Sequence, residues 1–384
     1  MRRRTFLTSS LALPFGSLVT ACGAASRPGA SGAPFRLLVG GDTNFAESYD
    51  IEEGGQVTTP VAEYGYAHSL ERLAPLLKRA DYTVLNLETA LTRPQTGLPR
   101  KAYRHWSDAD KTIEQLRRHG VDAVGLANNH TLDFGMVGLR DTFAALHHDG
   151  IKWFGAGANV YDASLPLVVR VPTDDGRDRR VAFFGMFEYR RQYDTAYHFY
   201  ASARAGGTKR LDVAEFARMV RRYRRQHPTL FVIAYAHWGR NYDWRTDYQN
   251  TKAKALIDAG ADMVIGHHAH VLQEIEQYRG KWILYGIGNF MFNAPGRFAG
   301  HPNVLPYGLA VELLFPGSRT APPEPRLYPI LSNNAVTGFQ PRLANTEEFQ
   351  GVFDVLARRS DDATRTHLAT GGDDMGPFIR LGVG

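Results

Sequence analysis

Residues of the kinds that bind metal ions recur along this sequence, each just after an apolar segment. They are Asp42, Glu88, Asn128-Asn129-His130, His237 and His267-His268-Ala269-His270. Each has a plainer explanation when taken alone, since a single Asp after a strand is usually a turn or helix-cap residue and a single His is often packed in a core. Three imidazoles within four positions are harder to explain by packing. We therefore expect the set to form one metal site.

The apolar segments before these residues predict an α/β fold. They alternate with amphipathic segments from Phe35 onward, which is typical of βαβ units and a largely parallel sheet. A later run of strands with few helices predicts a second, more antiparallel sheet. Functional side chains in such folds gather beyond the carboxyl ends of the strands. The predicted strands are 35–40, 82–87, 122–126, 181–187, 230–235, 262–266, 271–278 and 281–287, and the predicted helices are 66–78, 108–118, 135–148, 211–226 and 247–258.

The mixture of ligand types narrows the choice of metal. Carboxylate, amide and imidazole groups without thiolate suit Mn²⁺, Fe, Co²⁺ or Zn²⁺ better than Ca²⁺ or a structural zinc. We expect one or two divalent ions. Two ions about 3.5–4 Å apart can clamp an in-line phosphoryl displacement. His130, next to Asn129, could then donate a proton to the leaving oxygen or stabilise the developing charge.

The N-terminus predicts export and a lipid anchor. The segment 2–7, RRRTFL, precedes an apolar stretch too short to span a membrane, which is typical of a twin-arginine signal peptide. The segment 19–22, VTAC, looks like a bacterial lipobox in which Cys22 is acylated. Cys22 is the only cysteine, so we expect no intramolecular disulfide. The expected location is the cell envelope, as a lipoprotein exposed on the periplasmic or extracellular face.

The chain divides into four predicted segments. A signal peptide covers 1–21, and a Gly/Ala/Ser/Pro-rich tether covers 22–34. The main domain covers 35–316. A C-terminal extension, 317–384, begins beside the Pro-rich run at 320–325.

Composition and charge exclude some functions. The chain is 43% hydrophobic and 22% charged, which is globular, and its body has no apolar run long enough to span a membrane. The net charge of +6 is spread along the chain and is compatible with an anionic substrate. The densest basic stretch, 218–225, has helical spacing and no aromatic platform. We interpret it as a solvated helix face and expect no nucleic acid partner.

At these positions the sequence resembles the bacterial capsule-synthesis (CapA-type) poly-γ-glutamate biosynthesis proteins, of the calcineurin-like metallophosphoesterase superfamily. The resemblance covers about residues 35–316. It implies a four-layer α/β/β/α sandwich of two mixed sheets, with the site between loops at one end. The matching motifs are Gly41-Asp42, Asn86-Leu87-Glu88, Ala127–Gly135 (ANNHTLDFG), Gly155-Ala156-Gly157, His237-Trp238-Gly239, Gly266–Val271 (GHHAHV) and Tyr285–Phe290 (YGIGNF).

The resemblance also implies roles for individual residues. His130 would be the catalytic imidazole. His267 could exchange roles with His268, and Asn128 and Asn289 could bind metal or support the ligands. The implied metal ligands are Asp42, Glu88, Asn129, His237, His268 and His270.

The sequence departs from the family pattern at four positions. Asn44 stands where dinuclear phosphoesterases carry the His of Asp-x-His, and Glu88 stands where they usually carry Asp. Both changes weigh against a tight second metal. Asn241 replaces a Glu that often follows His-Trp-Gly, and Ala269 replaces a Pro between the last two histidines. The Asn241 change could alter substrate or metal preference.

Two functions remain open from the sequence. The first is a metal-dependent hydrolase or transferase that acts on a phosphoester or on an anionic envelope polymer such as poly-γ-glutamate, together with the polymer-synthesis machinery. The second is a non-catalytic component that binds such a polymer and assists its export, using the fold as a scaffold. The His cluster favours the first, and the weakened metal set favours the second.

Overall fold

The structure is a computed structural model that describes residues 33–53, 56–93, 97–98 and 101–382. The predicted signal peptide, Cys22 and nearly all of the tether lie outside these residues. Within the described ranges, no helix has both the length and the apolar character needed to cross a bilayer.

A first sheet contains ten strands of the described residues. The strand Phe35–Asn44 lies where the parallel and antiparallel parts of this sheet meet. It pairs in parallel with Tyr82–Leu87 on one side and antiparallel with Tyr307–Phe315 on the other. The spatial order is Leu368–Asp373, Gly376–Leu381, Glu324–Leu331, Tyr307–Phe315, Phe35–Asn44, Tyr82–Leu87, Ala123–Gly125 and Lys152–Phe154, with Asn289–Phe292 paired to Phe35–Asn44 and Arg342–Leu343 paired to Glu324–Leu331.

A second sheet contains six strands of the described part of the chain. Its middle strands are parallel and its two edge strands are antiparallel. It is therefore not the more antiparallel sheet that the later strands predicted. The later predicted strands 271–278 and 281–287 do lie in this sheet, as Ile275–Tyr278 and Lys281–Leu284. The larger antiparallel part belongs to the first sheet, where Tyr307–Phe315 pairs with Phe35–Asn44 and with Glu324–Leu331. The order is Leu167–Pro172, Asp178–Phe187, Phe231–His237, Met263–His267, Lys281–Leu284 and Ile275–Tyr278.

Short strands and helices complete the fold. The predicted helix at 66–78 is divided into a 3-10 helix and an α-helix, because Pro75 lacks the N–H that a continuous helix would need. The small strand pairs are Ile51–Glu53 with Gln56–Thr58, Ala90–Leu91 with Trp106–Ser107, and Ala156–Gly157 with Gly207–Thr208. The α-helices are Pro60–Tyr64, Ala74–Arg79, Ala109–Arg118, Gly135–His148, Val160–Ser164, Arg191–Thr195, Val213–Gln226, Asp247–Asp258, Asn334–Thr337, Thr346–Arg359 and Asp362–Arg365, and the 3-10 helices are Ala67–Leu73 and Phe298–Gly300.

Three apolar clusters separate four layers. The central cluster joins the inner faces of the two sheets, for example Val39 and Val84 of the first with Phe183 and Ile233 of the second. A second cluster packs helices on the outer face of the first sheet through Leu77, Ile113, Leu116 and Leu139. A third packs helices on the outer face of the second sheet through Phe216, Val220, Leu256 and Ile257. This arrangement confirms the predicted α/β/β/α sandwich of two mixed sheets.

The segment set apart from the sequence as an extension, 317–384, contributes to this sandwich over its described part. Four of its strands lie in the first sheet. The helix Thr346–Arg359 buries Phe349, Val352 and Leu356 in the central cluster. These residues therefore share the core of the main domain.

Candidate metal centre

The register of the parallel strands brings the predicted site residues together. Asp42 lies opposite Asn86 on one neighbouring strand and opposite Asn289 on the other. In the second sheet, His237 lies opposite His267. All of these residues except Asn289, which begins its strand, lie at or near the carboxyl ends of parallel strands. The side chains therefore meet across the end of the sandwich.

Two fully buried carboxylates form the centre of the cluster. Asp42 and Glu88 are both 0% exposed. Nδ1 of His267 lies 3.4 Å from Oδ1 of Asp42, and Nδ1 of His270 lies 3.5 Å from its Oδ2. Nε2 of His237 lies 3.6 Å from Oε1 of Glu88. Three overlapping groups have ligand atoms close enough to share an ion: Asp42 with His237 and His267; Glu88 with His237 and His268; and Asp42 with Glu88 and His270.

Several buried ligand atoms in this cluster have no hydrogen-bond partner among the described residues. They include both carboxylate oxygens of Glu88, Nε2 of His267 and Nδ1 of His268. Buried polar atoms are normally paired, and an unpaired buried carboxylate is especially costly. A divalent cation would satisfy these atoms, so the residues present fit such an ion.

Asp42 is held in place by neighbouring N–H groups. The side-chain amide of Asn86 donates to its Oδ1 at 2.8 Å, and the backbone N–H of His268 donates to its Oδ2 at 3.0 Å. Asn128 in turn donates to Oδ1 of Asn86 at 3.1 Å and to the Leu87 carbonyl at 2.8 Å. The side-chain amides of Asn86 and Asn128 therefore form a chain that orients a candidate ligand.

The remaining predicted amide residues contact histidines. Oδ1 of Asn129 lies 2.6 Å from Nε2 of His237, and Oδ1 of Asn289 lies 2.9 Å from Nδ1 of His270. Asn129 also lines the open cleft. The structure thus brings all of the predicted metal and supporting residues into one cluster.

The doubled histidine places two imidazoles at the site. His267 ends its strand and contacts His237 through their Nδ1 atoms at 2.8 Å. His268 lies beyond the strand, where its Nε2 is 3.1 Å from the Arg190 guanidinium. Both residues belong to candidate ligand groups, so each can contribute a ligand.

The loop that carries these histidines is conformationally strained. His268 has a φ of 101° and His270 a φ of 60°, both in the region that favours glycine. Such conformations cost about 1–3 kcal/mol each and are concentrated at functional sites. The rest of the structure therefore holds the loop in a form that its own backbone would not prefer.

His130 belongs to a second polar cluster that lies beside the metal ligands. Its Nδ1 lies 2.6 Å from Oδ2 of Asp133, and Nζ of Lys101 lies 2.6 Å from the other oxygen of that carboxylate. The ring of His105 stacks on that of His130 at 3.4 Å, and its backbone N–H donates to Asp133 at 2.6 Å. Tyr49 contacts Nε2 of His105 at 2.8 Å. Asp133 thus orients His130 through one contact and is itself held by Lys101 and by the backbone N–H of His105.

Electrostatics favour the metal-binding protonation states of His237 and Asp42, but not that of Glu88. Burial, and then the charge of His268, lowers the pKa of His237 well below its usual value. Burial, together with the nearby Asp42 charge, raises the pKa of Glu88 well above its usual range. Burial also tends to raise the pKa of Asp42, but contacts with His267 and His270 outweigh it and the net shift is downward. Neutral imidazoles can bind a metal directly, whereas Glu88 needs a cation to stay ionised.

A cleft of about 950 Å³ opens above the cluster. Asn129, His130, His268 and His270 form its floor. Its walls combine cationic side chains with tyrosines, and the only carboxylate among its lining residues in the described ranges is Glu188. The basic residues are Lys101, Arg190, Arg240 and Arg297, and the tyrosines are Tyr49, Tyr103, Tyr193, Tyr197, Tyr242 and Tyr248. The cleft therefore suits an anionic substrate.

Sequence reasoning assigned no role to several residues of the site. Asn86 lies two positions before Glu88, and Asp133 lies three positions after His130. Their closeness in sequence to predicted site residues was a signal that both could belong to the site. No pattern in the neighbouring sequence marked Lys101, His105 or Arg190 as site residues, because only the tertiary fold brings them to the site.

The chain is similar to known bacterial capsule-synthesis proteins. Residues 36–294 match the family described as "Bacterial capsule synthesis protein PGA_cap". The chain is 30% identical over 253 residues to the capsule biosynthesis protein CapA of Bacillus anthracis, covering 64% of this chain and 58% of that protein. It is 37% identical over 246 residues to a probable polyglutamine synthesis accessory protein of Mycobacterium tuberculosis, covering 60% of each. The chain thus spans about three fifths of the length of these relatives.

Among solved structures, the calcineurin-like phosphoesterase YfkN from Bacillus subtilis aligns with a TM-score of 0.44 and 14% identity, over 85% of this chain and 97% of that one.

Proposed function

This chain belongs to the bacterial capsule synthesis protein PGA_cap family, and we propose that it is a metal-dependent hydrolase or transferase that acts on a phosphoester or on an anionic envelope polymer such as poly-γ-glutamate. The observation that carries the proposal is the fully buried Glu88, whose two unpaired oxygens lie beside Asp42 and the histidines. A divalent cation is the ligand that accounts for this arrangement. The CapA relatives, named for capsule and PGA biosynthesis, support the choice of polymer.

In this proposal the metal ligands and His130 have different chemical roles. A divalent ion bound here would supply positive charge to polarise a phosphoryl or carbonyl oxygen. His130 donates Nδ1–H to Asp133 in the tautomer that this 2.6 Å contact favours, and its Nε2 is then the atom that can accept a proton and return it to a leaving group. Burial, and then the Lys101 charge, lowers the pKa of His130, so His130 starts as an acceptor.

The cationic walls of the cleft bind and orient the substrate. Arg190 is positioned by Glu188, whose carboxylate lies 3.2 Å from the guanidinium, and by the carbonyl of Gly239. Arg240 and Arg297 add positive charge on other parts of the wall. Guanidinium groups bind carboxylates and phosphates alike, so this wall suits either substrate.

We also propose that the protein is exported and held at the cell envelope by a lipid on Cys22, where it works with polymer-synthesis machinery. This part rests on the sequence of residues 1–22 and on the naming of the relatives.

A non-catalytic polymer-binding or export-assisting role is the second candidate. Asn44 stands where a dinuclear phosphoesterase carries a metal-binding His, and its Oδ1 accepts a hydrogen bond from the N–H of Ala46 at 2.8 Å. The Mycobacterium tuberculosis relative is also named as an accessory protein. In this role the cationic cleft would bind the polymer without cleaving it.

One experiment separates the two candidates. The purified protein is loaded with Mn²⁺, Fe²⁺, Co²⁺ or Zn²⁺, and metal content is measured together with hydrolysis of an activated phosphodiester. His130→Ala and His268→Ala test the site, and His147→Ala, at an exposed helix end, is the matched control. Metal binding with turnover that both site variants abolish would support the enzyme. Metal binding without turnover would favour the second role, and no metal binding under any condition would overturn the first.

A further inference from the structure

A second pocket lies at the opposite end of the second sheet from the metal centre. It has a volume of about 510 Å³ and is lined by the first residues of two strands, Phe231 and Met263. The strand Phe231–His237 runs from this pocket to the metal centre, a distance of about 20 Å for seven extended residues. A ligand bound here therefore does not contact the metal centre.

Basic side chains dominate this pocket. Arg179, Arg224, Lys281 and Arg319 line it, and Asp262 is the only acidic lining residue within the described ranges. Arg224 and Lys281 share the Asp262 carboxylate, at 2.8 and 2.9 Å. The backbone N–H of Val232 donates to the same carboxylate at 2.9 Å. Both oxygens of Asp262 are therefore already paired, and it forms no ion pair with Arg179 or Arg319.

Arg179 is a buried cation that lines the pocket. It is 5% exposed, and its guanidinium lies over the rings of Phe231 and Phe315, at 5.4 and 5.3 Å from their centroids. One of its terminal nitrogens donates to the carbonyl of Ala321, but its Nε–H has no hydrogen-bond partner among the described residues. No described carboxylate lies within ion-pair distance of it. Burying a cation and a donor in this way is costly unless an anion completes the site.

Arg319 repeats this feature on the facing loop. Its Nε is buried and has no partner in the described part of the chain, although Asp175 lies near its charge. Pro322, Pro323 and Pro325 of the Pro-rich run form an apolar wall, and Trp282 lines the pocket beside them. Two guanidinium groups, each with a buried Nε that lacks a partner among the described residues, thus line one pocket.

We propose that this pocket is an oxyanion-binding site, separate from the metal centre, for a ligand that carries a carboxylate or a phosphate. The planar guanidinium fork matches both groups, so the pocket suits either one. The site would let the protein hold one part of an anionic ligand at a fixed distance from the cleft, or bind a separate small anion.

Calorimetric titration of the purified protein tests this proposal. The probes are inorganic pyrophosphate for the phosphate source and tricarballylate for the carboxylate source, both at low ionic strength. We expect one equivalent of at least one probe to bind, and Arg319→Gln to weaken that binding at least tenfold. Arg221→Gln, on the exposed face of the helix that also carries Arg224, is the charge-matched control and should bind as wild type does.

Two further variants keep the result interpretable. Binding should persist in Glu88→Gln, which alters the metal centre only, so failure of the proposed enzyme and failure of this site are distinguishable. Arg179→Lys keeps the charge and removes the unpartnered Nε–H, and it should also weaken binding. Absence of binding by both probes, or equal binding by wild type and Arg319→Gln with native circular dichroism, would overturn the proposal.

Discussion

The carboxylate of Glu88 lies 3.6 Å from Nε2 of His237, yet neither of its oxygens receives a hydrogen bond from any described residue. Glu88 and Asp42 thus place two acidic groups in one fully buried site. No described residue compensates the buried Glu88 carboxylate, and a divalent cation would do so. The stability of the protein should therefore depend on metal.

Glu88→Gln should remove most of the stabilisation that metal gives the protein. Wild type should gain about 2.7 kcal/mol at a metal concentration one hundred times the Kd, because the ion binds only the folded state. The variant should lose most of this gain and be at least as stable as wild type without metal, since a neutral amide is cheaper to bury. Thermal unfolding with and without Mn²⁺ or Zn²⁺ measures both effects. Equal metal stabilisation of the two proteins would contradict the assignment of Glu88.

Asp133→Asn should affect turnover and leave metal binding intact. The carboxylate orients His130, and an amide would favour the wrong tautomer of the imidazole. We expect kcat to fall by roughly a hundredfold or more. Asp110→Asn, at an exposed position in a helix, is the control. Loss of bound metal in Asp133→Asn would show instead that this residue supports the ligands.

Asn241→Glu should weaken the binding of an anionic substrate. The residue lines the cleft with Arg190, Arg240 and Arg297, and a new carboxylate there would repel the substrate charge and pair with the arginines. We expect KM to rise several-fold and the effect to shrink at high salt. Asn241→Gln keeps the neutral amide and should behave as wild type does. An unchanged KM would place the substrate elsewhere.

Gly266→Ala should destabilise the loop that carries the histidines. A Cβ at this position would lie 2.0 Å from the carbonyl oxygen of Tyr285 and 2.3 Å from Nε1 of Trp238, so the backbone would have to move. We expect a loss of at least about 2 kcal/mol in unfolding free energy. Gly351→Ala, inside an exposed part of a helix with open space around it, should instead stabilise by about 0.5–1 kcal/mol. Chemical denaturation compares the two.

Glu348→Gln should reduce stability at neutral pH and have little effect in acid. The two carboxylate oxygens of Glu348 each lie 2.7 Å from the Arg342 guanidinium, and this hydrogen bonding lowers the pKa of Glu348. The stabilisation is therefore present above the pKa of an unfolded Glu, about 4.3, and is lost as pH falls through the lower folded value. We expect about 1 kcal/mol at pH 7, seen as a shift in the urea midpoint. Glu347→Gln, next to it and exposed, is the control.

The sequence predicted most helices and strands because their signals are local. The helix 135–148 and the hairpin around Arg279-Gly280 follow from periodicity and turn residues, and the structure has both. The sheet to which each strand belongs was not a local property. Tyr307–Phe315 was not among the predicted strands, and its place beside Phe35–Asn44 depends on pairing across most of the chain.

The ligand types of the candidate site were also determined by the sequence. Asp42, Glu88 and the histidines follow apolar strands, and the carboxyl ends of parallel strands meet at one edge. Chain order alone was therefore enough to group them. That grouping did not reveal Lys101, His105 or Arg190, which come from connections between elements and carry no periodic pattern.

Tertiary structure alone decided how these groups are paired. The sequence could not show that Glu88 lacks hydrogen bonds, that Asp133 joins His130 to Lys101, or that Arg179 is buried on two aromatic rings. Each is a relation between residues far apart in the chain, and it exists only once the sheets have packed and water has been excluded. The sequence therefore determined which chemical groups the protein carries, and the packed fold decided which of their charges remain without a partner.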